Sequence, residues 1–245
     1  MIFVLIPAFN EAGRLKELLP GIPDSVDDSA VRTIVISDGS TDGTPEIAAE
    51  LGAEVIALPS NRGKGAALRK GAAALENRAL DCVVLMDGDG QHDPSFLSSV
   101  VAPVLSGDYH VVVGSRYLDD PKRGATPRNR YLVRRLVTWY LRRRLSQPVT
   151  DPFSGYRCLS QFAFDTISLR GNEYEGELEM RFEAEIHGLE LEEVPIPRVY
   201  MDNFSKMGSH GGPLVGRLRA IGQYVRTIVR KRRELASATR SAVAA

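Results

Sequence analysis

No apolar run in this chain approaches the roughly 18–20 residues that a helix needs to span a bilayer. Cysteine is scarce: Cys82 and Cys158 alone make neither a disulfide framework nor a zinc site. Both sit among apolar neighbours and read as core thiols, which suits a reducing cytoplasm. Net charge is absent too. Lys+Arg 31 balances Asp+Glu 31, so the whole-chain charge predicts no nucleic-acid partner. The opening MIFVLIPAF carries no basic leader and no cleavage pattern, so a secretory signal is not expected. There is no internal repeat, and no linker long enough to demand a second domain. What remains is an ordinary folded composition. With 245 residues, 43% hydrophobic and 25% charged, the chain is long enough for one large α/β domain or two small ones. It can bury a sizeable core, and a disordered chain is excluded.

The balanced charge is unevenly spread. Arg116 to Arg144 holds ten Lys/Arg against two Asp, and Pro213 to Arg240 holds eight against one Glu. Two basic segments on an acidic remainder point to phosphates or acidic lipid headgroups, or else to two solvated helix faces.

The first half alternates short apolar runs with amphipathic segments. Ile2–Ile6, Thr33–Ser37, Glu54–Leu58, Cys82–Met86 and Tyr109–Ser115 read as strands. They are continuous and β-branched, as parallel strands covered on both faces are. Helical patterns fall at Glu11–Leu19, Thr44–Leu51, Lys64–Glu76 and Pro94–Leu105, with Pro45 and Pro94 in first turns. This alternation predicts an α/β fold with a mainly parallel, doubly wound sheet and helices on both faces. Ligands of such sheets bind at the carboxyl ends of the strands. The second half predicts a helix at Pro127–Ser146, with apolar positions Leu132, Leu136, Tyr140 and Val133, Val137, Leu141. Further helices are expected at Tyr174–His187 and Pro213–Leu235, and a strand at Glu190–Tyr200. The tail Ala236–Ala245 is expected to be disordered.

The strand ends carry the unusual residues. The fourth strand runs into Asp87-Gly88-Asp89-Gly90-Gln91-His92-Asp93-Pro94. Two carboxylates one glycine apart can converge on a hard cation, with phosphate oxygens completing the shell. Gln91 adds a neutral oxygen, and Gly88 and Gly90 keep the backbone open. A polar turn is the plain alternative. The second strand ends at Asp38, which could accept from a ribose or base. Asp42 and Thr44 read as caps of the next helix. After the first strand, Phe9 could cover a base, and Glu11 sits at a helix start. The third strand leads to Ser60-Asn61-Arg62-Gly63-Lys64-Gly65, which is neither a Walker loop nor G-x-G-x-x-G. Its cations at a helix N-terminus still suit a diphosphate.

Together these stretches resemble the family-2 glycosyltransferases of the GT-A fold, most of all the dolichyl- or polyprenyl-phosphate mannose synthase group. The resemblance rests on IPAFNE (6–11), SDGSTDGT (37–44), NRGKGAAL (61–68), DGDGQHDP (87–94), GSRY (114–117), DPFSGYRC (151–158) and EVPI…SKMG (193–208), in the family's order. It covers roughly residues 1 to 208. It implies that Pro7, Phe9, Glu11, Ile36 and Asp38 surround the nucleoside and that Gly88 lies against the nucleotide. It implies that Asp87, Asp89 and Gln91 hold Mg²⁺ or Mn²⁺ on the donor diphosphate. Arg116 and Lys206 would neutralise phosphate charge, with Lys64 also on the donor, and Ser154, Gly155 and Arg157 match an acceptor-side motif. Two departures leave the donor open between GDP-mannose and a UDP-hexose. Tyr200 and Asn203 replace an arginine and a glycine before Ser205-Lys206, and DGDGQ stands where mannose synthases commonly read DADLQ.

The resemblance implies an inverting transfer, with cations stabilising the leaving diphosphate. The expected acceptor is a polyprenyl or dolichyl phosphate on the cytoplasmic membrane face, which needs no general base. For a hydroxyl acceptor, Asp151 is the base candidate, although an Asp before Pro152 also suits a turn. Asp89, Arg116, Arg157 and Asp151 are thus the expected catalytic groups. The expected division is a catalytic domain at 1–212 (donor half 1–115, acceptor half 116–212) and a basic C-terminal segment at 213–245. That segment is read as a peripheral membrane helix or as a helix packed on the domain or on a second copy. A homodimer or a membrane-protein partner is compatible with it. Competing readings are a soluble hydroxyl acceptor, a sugar-nucleotidyltransferase and a non-catalytic nucleotide-binding scaffold.

Overall fold

The apolar runs of the first half become strands, most of them covered on both faces, while Glu54–Leu58 stays partly exposed. In the computed structural model, residues 1–120, 124, 126–168, 175–199 and 212–244 are described, with side chains of the last helix described from 222 to 238. The strands are β1 (Ile2–Ala8), β2 (Ser25–Val26), β3 (Ser29–Asp38), β4 (Glu54–Leu58), β5 (Cys82–Leu85), β6 (Val111–Ser115), β7 (Arg157–Ser160) and β8 (Leu191–Pro195). The helices are α1 (Ala12–Leu18), α2 (Thr44–Glu50), α3 (Lys64–Ala73), α4 (Leu97–Leu105), α5 (Arg128–Leu141), α6 (Gln161–Thr166), α7 (Gly176–Ile186) and α8 (Gly212–Ala244).

Alternate residues of β1 enter opposite cores, as period-2 geometry requires. Ile2, Val4 and Ile6 pack with Leu15 and Leu18 of α1 and with Val100 and Val101 of α4. Phe3 and Leu5 pack on the other face with Ala67 of α3, Leu75, and Met180 of α7. Gly71 of α3 lets that helix close on the sheet, because a Cβ there would lie 2.8 Å from Ile36 Cδ1. Cys82 and Cys158 are buried free thiols in the first core, as expected.

The sheet order is β2-β3-β1-β5-β7-β6-β8, with β4 also paired to β3. The β1–β3, β1–β5, β3–β4 and β6–β8 pairs are parallel. The sequence did not announce β7, which enters antiparallel between β5 and β6. It is four residues long, begins with an arginine and lies inside a stretch that reads as a loop motif. The sheet therefore runs across the expected 115/116 boundary, since β6 joins β5 only through β7, a strand from the expected acceptor half. The β2 hairpin strand and α6, capped by Ser160 on Ala163 N (3.1 Å), were also unannounced. The last strand stops at Pro195, short of the expected Tyr200.

A third apolar cluster joins Val137 and Leu141 of α5, Leu178 and Phe182 of α7, and Tyr224 of α8. It divides the apolar positions expected on α5. Val137 and Leu141 are inside, whereas Leu132 and Leu136 face solvent. The tail expected to be disordered continues α8 to Ala244, because Ala236–Ala244 holds no glycine or proline and is rich in alanine. This helix lies on α7. Tyr224 meets Phe153 at 4.9 Å between ring centroids, Arg230 pairs with Glu179, and Lys231 pairs with Glu183 and with Glu234 at 2.8 Å.

Candidate active site

The parallel strands β1, β3, β4 and β5 all end on one edge, and four loops meet there. The Asp42 carboxylate links two of them. It accepts from Ala12 N (3.1 Å) at the start of α1 and from Thr44 N (3.1 Å) at the start of α2. An anion shared by two helix N-termini suits both macrodipoles. These hydrogen bonds hold Asp42 below the usual carboxylate range, against a burial effect that would raise it. The residue that caps α2 itself is Gly43, at φ +81. Glu11 N donates to Thr44 Oγ1 (2.9 Å), and Thr41 N donates to Asn10 Oδ1 (2.8 Å). The first two loops therefore form one unit.

Asp38 is buried at the tip of β3. Its oxygens accept from Arg62 N (2.8 Å) and Gly63 N (2.8 Å). It thereby fixes the loop that launches α3, a role the sequence reading did not assign. Gly39 beside it has φ +71 and lies so close to Ser60 that a Cβ would come within 2.4 Å of the Ser60 carbonyl carbon. Pro7 pairs with Ile36 in the β1–β3 register. Ile36 is a core residue, and Phe9 is half-buried at the loop. Gly88 packs on β1, where a Cβ would lie 3.2 Å from both Ile6 Cγ2 and Pro7 O.

The acidic pair follows β5. Lys64, the first residue of α3, extends between two carboxylates, with Nζ 2.6 Å from Asp87 Oδ1 and 2.7 Å from Glu177 Oε1. Burial alone would lower the lysine, but Asp87 and Glu177 outweigh it and raise its pKa. Burial would likewise raise Asp87, but Lys64, His92 and Arg116 bring it to about 2. Asp89 moves the other way. Burial and the adjacent Asp87 charge push it up to about 6. It accepts from Gln91 N (3.0 Å) and has no cationic partner among the described residues. Gly155 covers the pair closely. A Cβ there would lie 2.7 Å from Asp87 Oδ2 and 2.8 Å from Lys64 Nζ.

His92 supports this loop from below. Its Nδ1 accepts from Asp87 N (3.0 Å), so the neutral ring carries its proton on Nε2. The ring stacks on Tyr156 at 5.1 Å, and burial lowers its pKa to about 4. His92 and Glu177 are the two functional neighbours that sequence reasoning missed. His92 stood inside a quoted motif without a role. Glu177 lies 113 positions from Lys64, and no local signal marked it.

Arg116 opens the other side of the site. It grips Asp151 bidentately, Nε to Oδ2 at 2.7 Å and Nη2 to Oδ1 at 3.1 Å. Asp151 is wholly buried; burial would raise it, and Arg116 holds it below the usual carboxylate range. Arg181 pairs with Glu193 beneath and donates to Asp151 O (3.2 Å). Arg157, expected on the acceptor side, is buried. It donates to Ser154 O (2.8 Å) and Glu177 O (2.8 Å), so it shapes the wall of the site from inside. A cavity of about 330 Å³ lies beside Arg116, lined among others by Ser115, Asp119, Ile196 and Arg198. Lys206, Tyr200 and Asn203 lie outside the described residues.

A divalent cation fits this donor set. No cluster of three or more His, Cys, Asp or Glu side chains suits a metal among the described residues, which offer the carboxylate pair Asp87 and Asp89. Asp89, raised by a like charge and unmatched by a cation, is the kind of group an ion relieves. Ser154 Oγ and Glu177 Oε2 are buried at the same wall without a hydrogen-bond partner. Such atoms call for a ligand with hydroxyl or phosphate groups.

Comparison with known proteins agrees. The family described as Glycosyl transferase family 2 matches residues 3–167. An uncharacterized protein of Methanocaldococcus jannaschii is 34% identical over 218 residues, covering 85% of this chain and 86% of that protein. The UDP-N-acetylglucosamine–dolichyl-phosphate N-acetylglucosaminyltransferase of Methanococcus voltae is 30% identical, covering 86% of this chain and 90% of that one. Polyprenyl- and dolichol-phosphate mannosyltransferases match at 28–30% identity. In structure, the chain is similar to glucosyl-3-phosphoglycerate synthase from Mycobacterium tuberculosis in complex with Mn²⁺ and UDP-glucose (TM-score 0.71, 25% identity, 94% of this chain and 78% of that one). The same enzyme also appears in complex with phosphoglyceric acid (TM-score 0.72, 26% identity, 94% and 79%). The chain belongs to the family-2 glycosyltransferases and has their GT-A fold. It is a glycosyltransferase whose relatives include enzymes of polyprenyl and dolichyl phosphates.

Proposed function

We propose that this protein transfers a sugar from a nucleotide-diphosphate donor, a UDP-hexose or GDP-mannose, to a polyprenyl or dolichyl phosphate, with inversion at the anomeric carbon. The observation that carries the reading is the Lys64 bridge between Asp87 and Glu177, set beside an Asp89 that has no cationic partner among the described residues. The nucleotide would lie over the loops after β1 and β3, near Pro7, Phe9, Glu11 and Asp38. Asp87 and Asp89, with Gln91 beside them, would hold Mg²⁺ or Mn²⁺ on the diphosphate. That ion supplies charge stabilisation for the departing phosphate. Lys64 adds a fixed positive charge at the same place and is already desolvated, so its field is strong. Glu177 keeps that charge in position, and Gly155 leaves it room. Arg116 would meet phosphate charge beside the site, and Lys206, which lies outside the described residues, would add to the charge on the donor diphosphate.

Asp151 supports an acceptor that arrives already ionised. It is tied by Arg116 and held well below the usual range, which makes it a poor base. A phosphate acceptor needs none. The likeness to glucosyl-3-phosphoglycerate synthase favours a second reading, the same donor chemistry with a soluble acceptor.

One experiment separates them. Purified protein is given tritiated GDP-mannose, UDP-glucose or UDP-N-acetylglucosamine with Mn²⁺ and either polyprenyl phosphate or phosphoglyceric acid. The expected product is organic-soluble label released by mild acid, as a glycosyl phosphate is. Label only in the aqueous acceptor would replace this reading with the second, and no label with any donor would remove both.

A further inference from the structure

The transfer chemistry leaves the outer face of α5 unused. Leu132 is 63%, Leu136 66% and Trp139 52% exposed. They stand at i, i+4 and i+7 and so form one stripe along the helix. Packing does not explain them, because α5 is already anchored on its other side by Val137 and Leu141. A contiguous exposed apolar stripe marks an interaction surface.

The charge around the stripe names the partner. Arg128, Arg135, Arg142, Arg143 and Arg144 are exposed, and no Asp or Glu occurs between positions 121 and 150. Arg143 lies over the Trp139 ring at 4.0 Å. It also lines a recess of about 550 Å³, together with Arg144 and Arg232 at its rim and Tyr140, Phe182 and Leu235 within. Apolar side chains and a tryptophan among arginines, beside a cationic recess with an apolar floor, match an anionic bilayer interface. A second copy of the chain matches poorly. A two-fold contact would set this acid-free arginine face against itself.

We propose that α5 is the membrane-docking surface. Leu132, Leu136 and Trp139 enter the interface of an anionic bilayer, and the surrounding arginines hold its phosphate headgroups. The inference rests on the lipid-phosphate reading of the active site. It moves the membrane contact from α8, whose Arg230 and Lys231 are paired inward to α7, onto α5.

Trp139 is the only tryptophan in the chain, so its emission, excited selectively over tyrosine, reports on this surface alone. Vesicles of phosphatidylcholine with phosphatidylglycerol should shift its emission to the blue. Pure phosphatidylcholine should shift it far less, and 0.5 M salt should reverse most of the change. The exposed double variant Leu132→Ser/Leu136→Ser should bind those vesicles roughly tenfold more weakly. It should keep wild-type transfer to a short, water-soluble prenyl phosphate. An unmoved Trp139 spectrum with anionic vesicles, in a protein that glycosylates detergent-dispersed polyprenyl phosphate, would overturn the docking surface and leave the function standing. A lipid-free blue shift that grows with protein concentration, with a dimer in sedimentation equilibrium, would also overturn it in favour of a second copy. A vesicle-dependent shift in a protein inactive on every lipid phosphate would keep the surface and remove the functional reading.

Discussion

Asp87 and Asp89 are two residues apart, yet their pKa values are driven to about 2 and about 6. The difference lies in burial and partners: both are desolvated, but Lys64 touches only Asp87, and the Asp87 charge adds to the burial that raises Asp89. Removing the second charge should therefore separate activity from stability. Asp89→Asn should lower Mn²⁺-dependent turnover by roughly 10²–10⁴, the several kcal/mol expected of a metal's charge stabilisation. Its melting temperature without metal should stay level or rise, because a like-charge contact is gone. A variant that keeps full Mn²⁺-dependent activity would remove Asp89 from the metal site. Gly155→Ala tests the cover over the pair. The new methyl would displace Asp87 and Lys64, so kcat/KM should fall at least about tenfold, with thermal melting near wild type. The acidic pair was legible in the sequence because two Asp at the tip of an apolar run have few structural uses. Glu177 was not, because its contact with Lys64 exists only once α7 docks. The burial of Arg157 and its hold on two backbone carbonyls were not legible, since nothing local distinguishes such an arginine from one that meets a phosphate.

Among the elements, α7 is the link between the site and the C-terminal helix. Glu177 at its start holds Lys64, and Glu179 and Glu183 further along hold Arg230 and Lys231 of α8. Lys231 is almost wholly buried, so removing it leaves Glu183 with only the half-exposed His187 beside it, 3.5 Å away and charged only when protonated. Lys231→Met should cost about 3–5 kcal/mol, a fall in Tm of roughly 6–20 °C. The double change Lys231→Met/Glu183→Leu should recover most of that loss, and a double-mutant cycle by thermal denaturation measures the coupling. Losses that simply add in the double variant would show that Lys231 and Glu183 stabilise the protein independently of each other. The extent of α8 was only partly legible. Its basic, amphipathic half announced itself, but its alanine-rich end carries no period to read and is helical by propensity. The strands β1, β3, β4, β5 and β6 were visible as apolar runs, whereas β7 needed its neighbours on both sides to become a strand.

For the molecule as a whole, acid stability follows from the buried charge network around Asp151. Its native pKa is depressed relative to an ordinary unfolded value of about 3.9. The stabilisation from its Arg116 pairing is therefore fully present above that value and lost as pH falls through the native one. Urea denaturation at successive pH values should show wild-type stability dropping below about pH 4. Asp151→Asn should start lower at neutral pH and fall less steeply. Parallel curves would mean that Asp151 does not titrate with unfolding.

The antiparallel β7 also has a consequence for how the chain is made. Its partner β5 ends at Leu85, and β7 ends at Ser160, 75 positions later. At about 5–20 residues per second, the edge of β5 leaves the ribosome some 4–15 s before the strand that covers it. During that interval the nascent sheet shows an open apolar flank of the kind that recruits other chains. A nascent chain arrested just after Ser115 should thus be protease-sensitive and bound by chaperones, and one arrested well past Ser160 should be protected. The inserted strand that joins β5 to β6 in the finished enzyme is, during synthesis, the event for which the first half must wait.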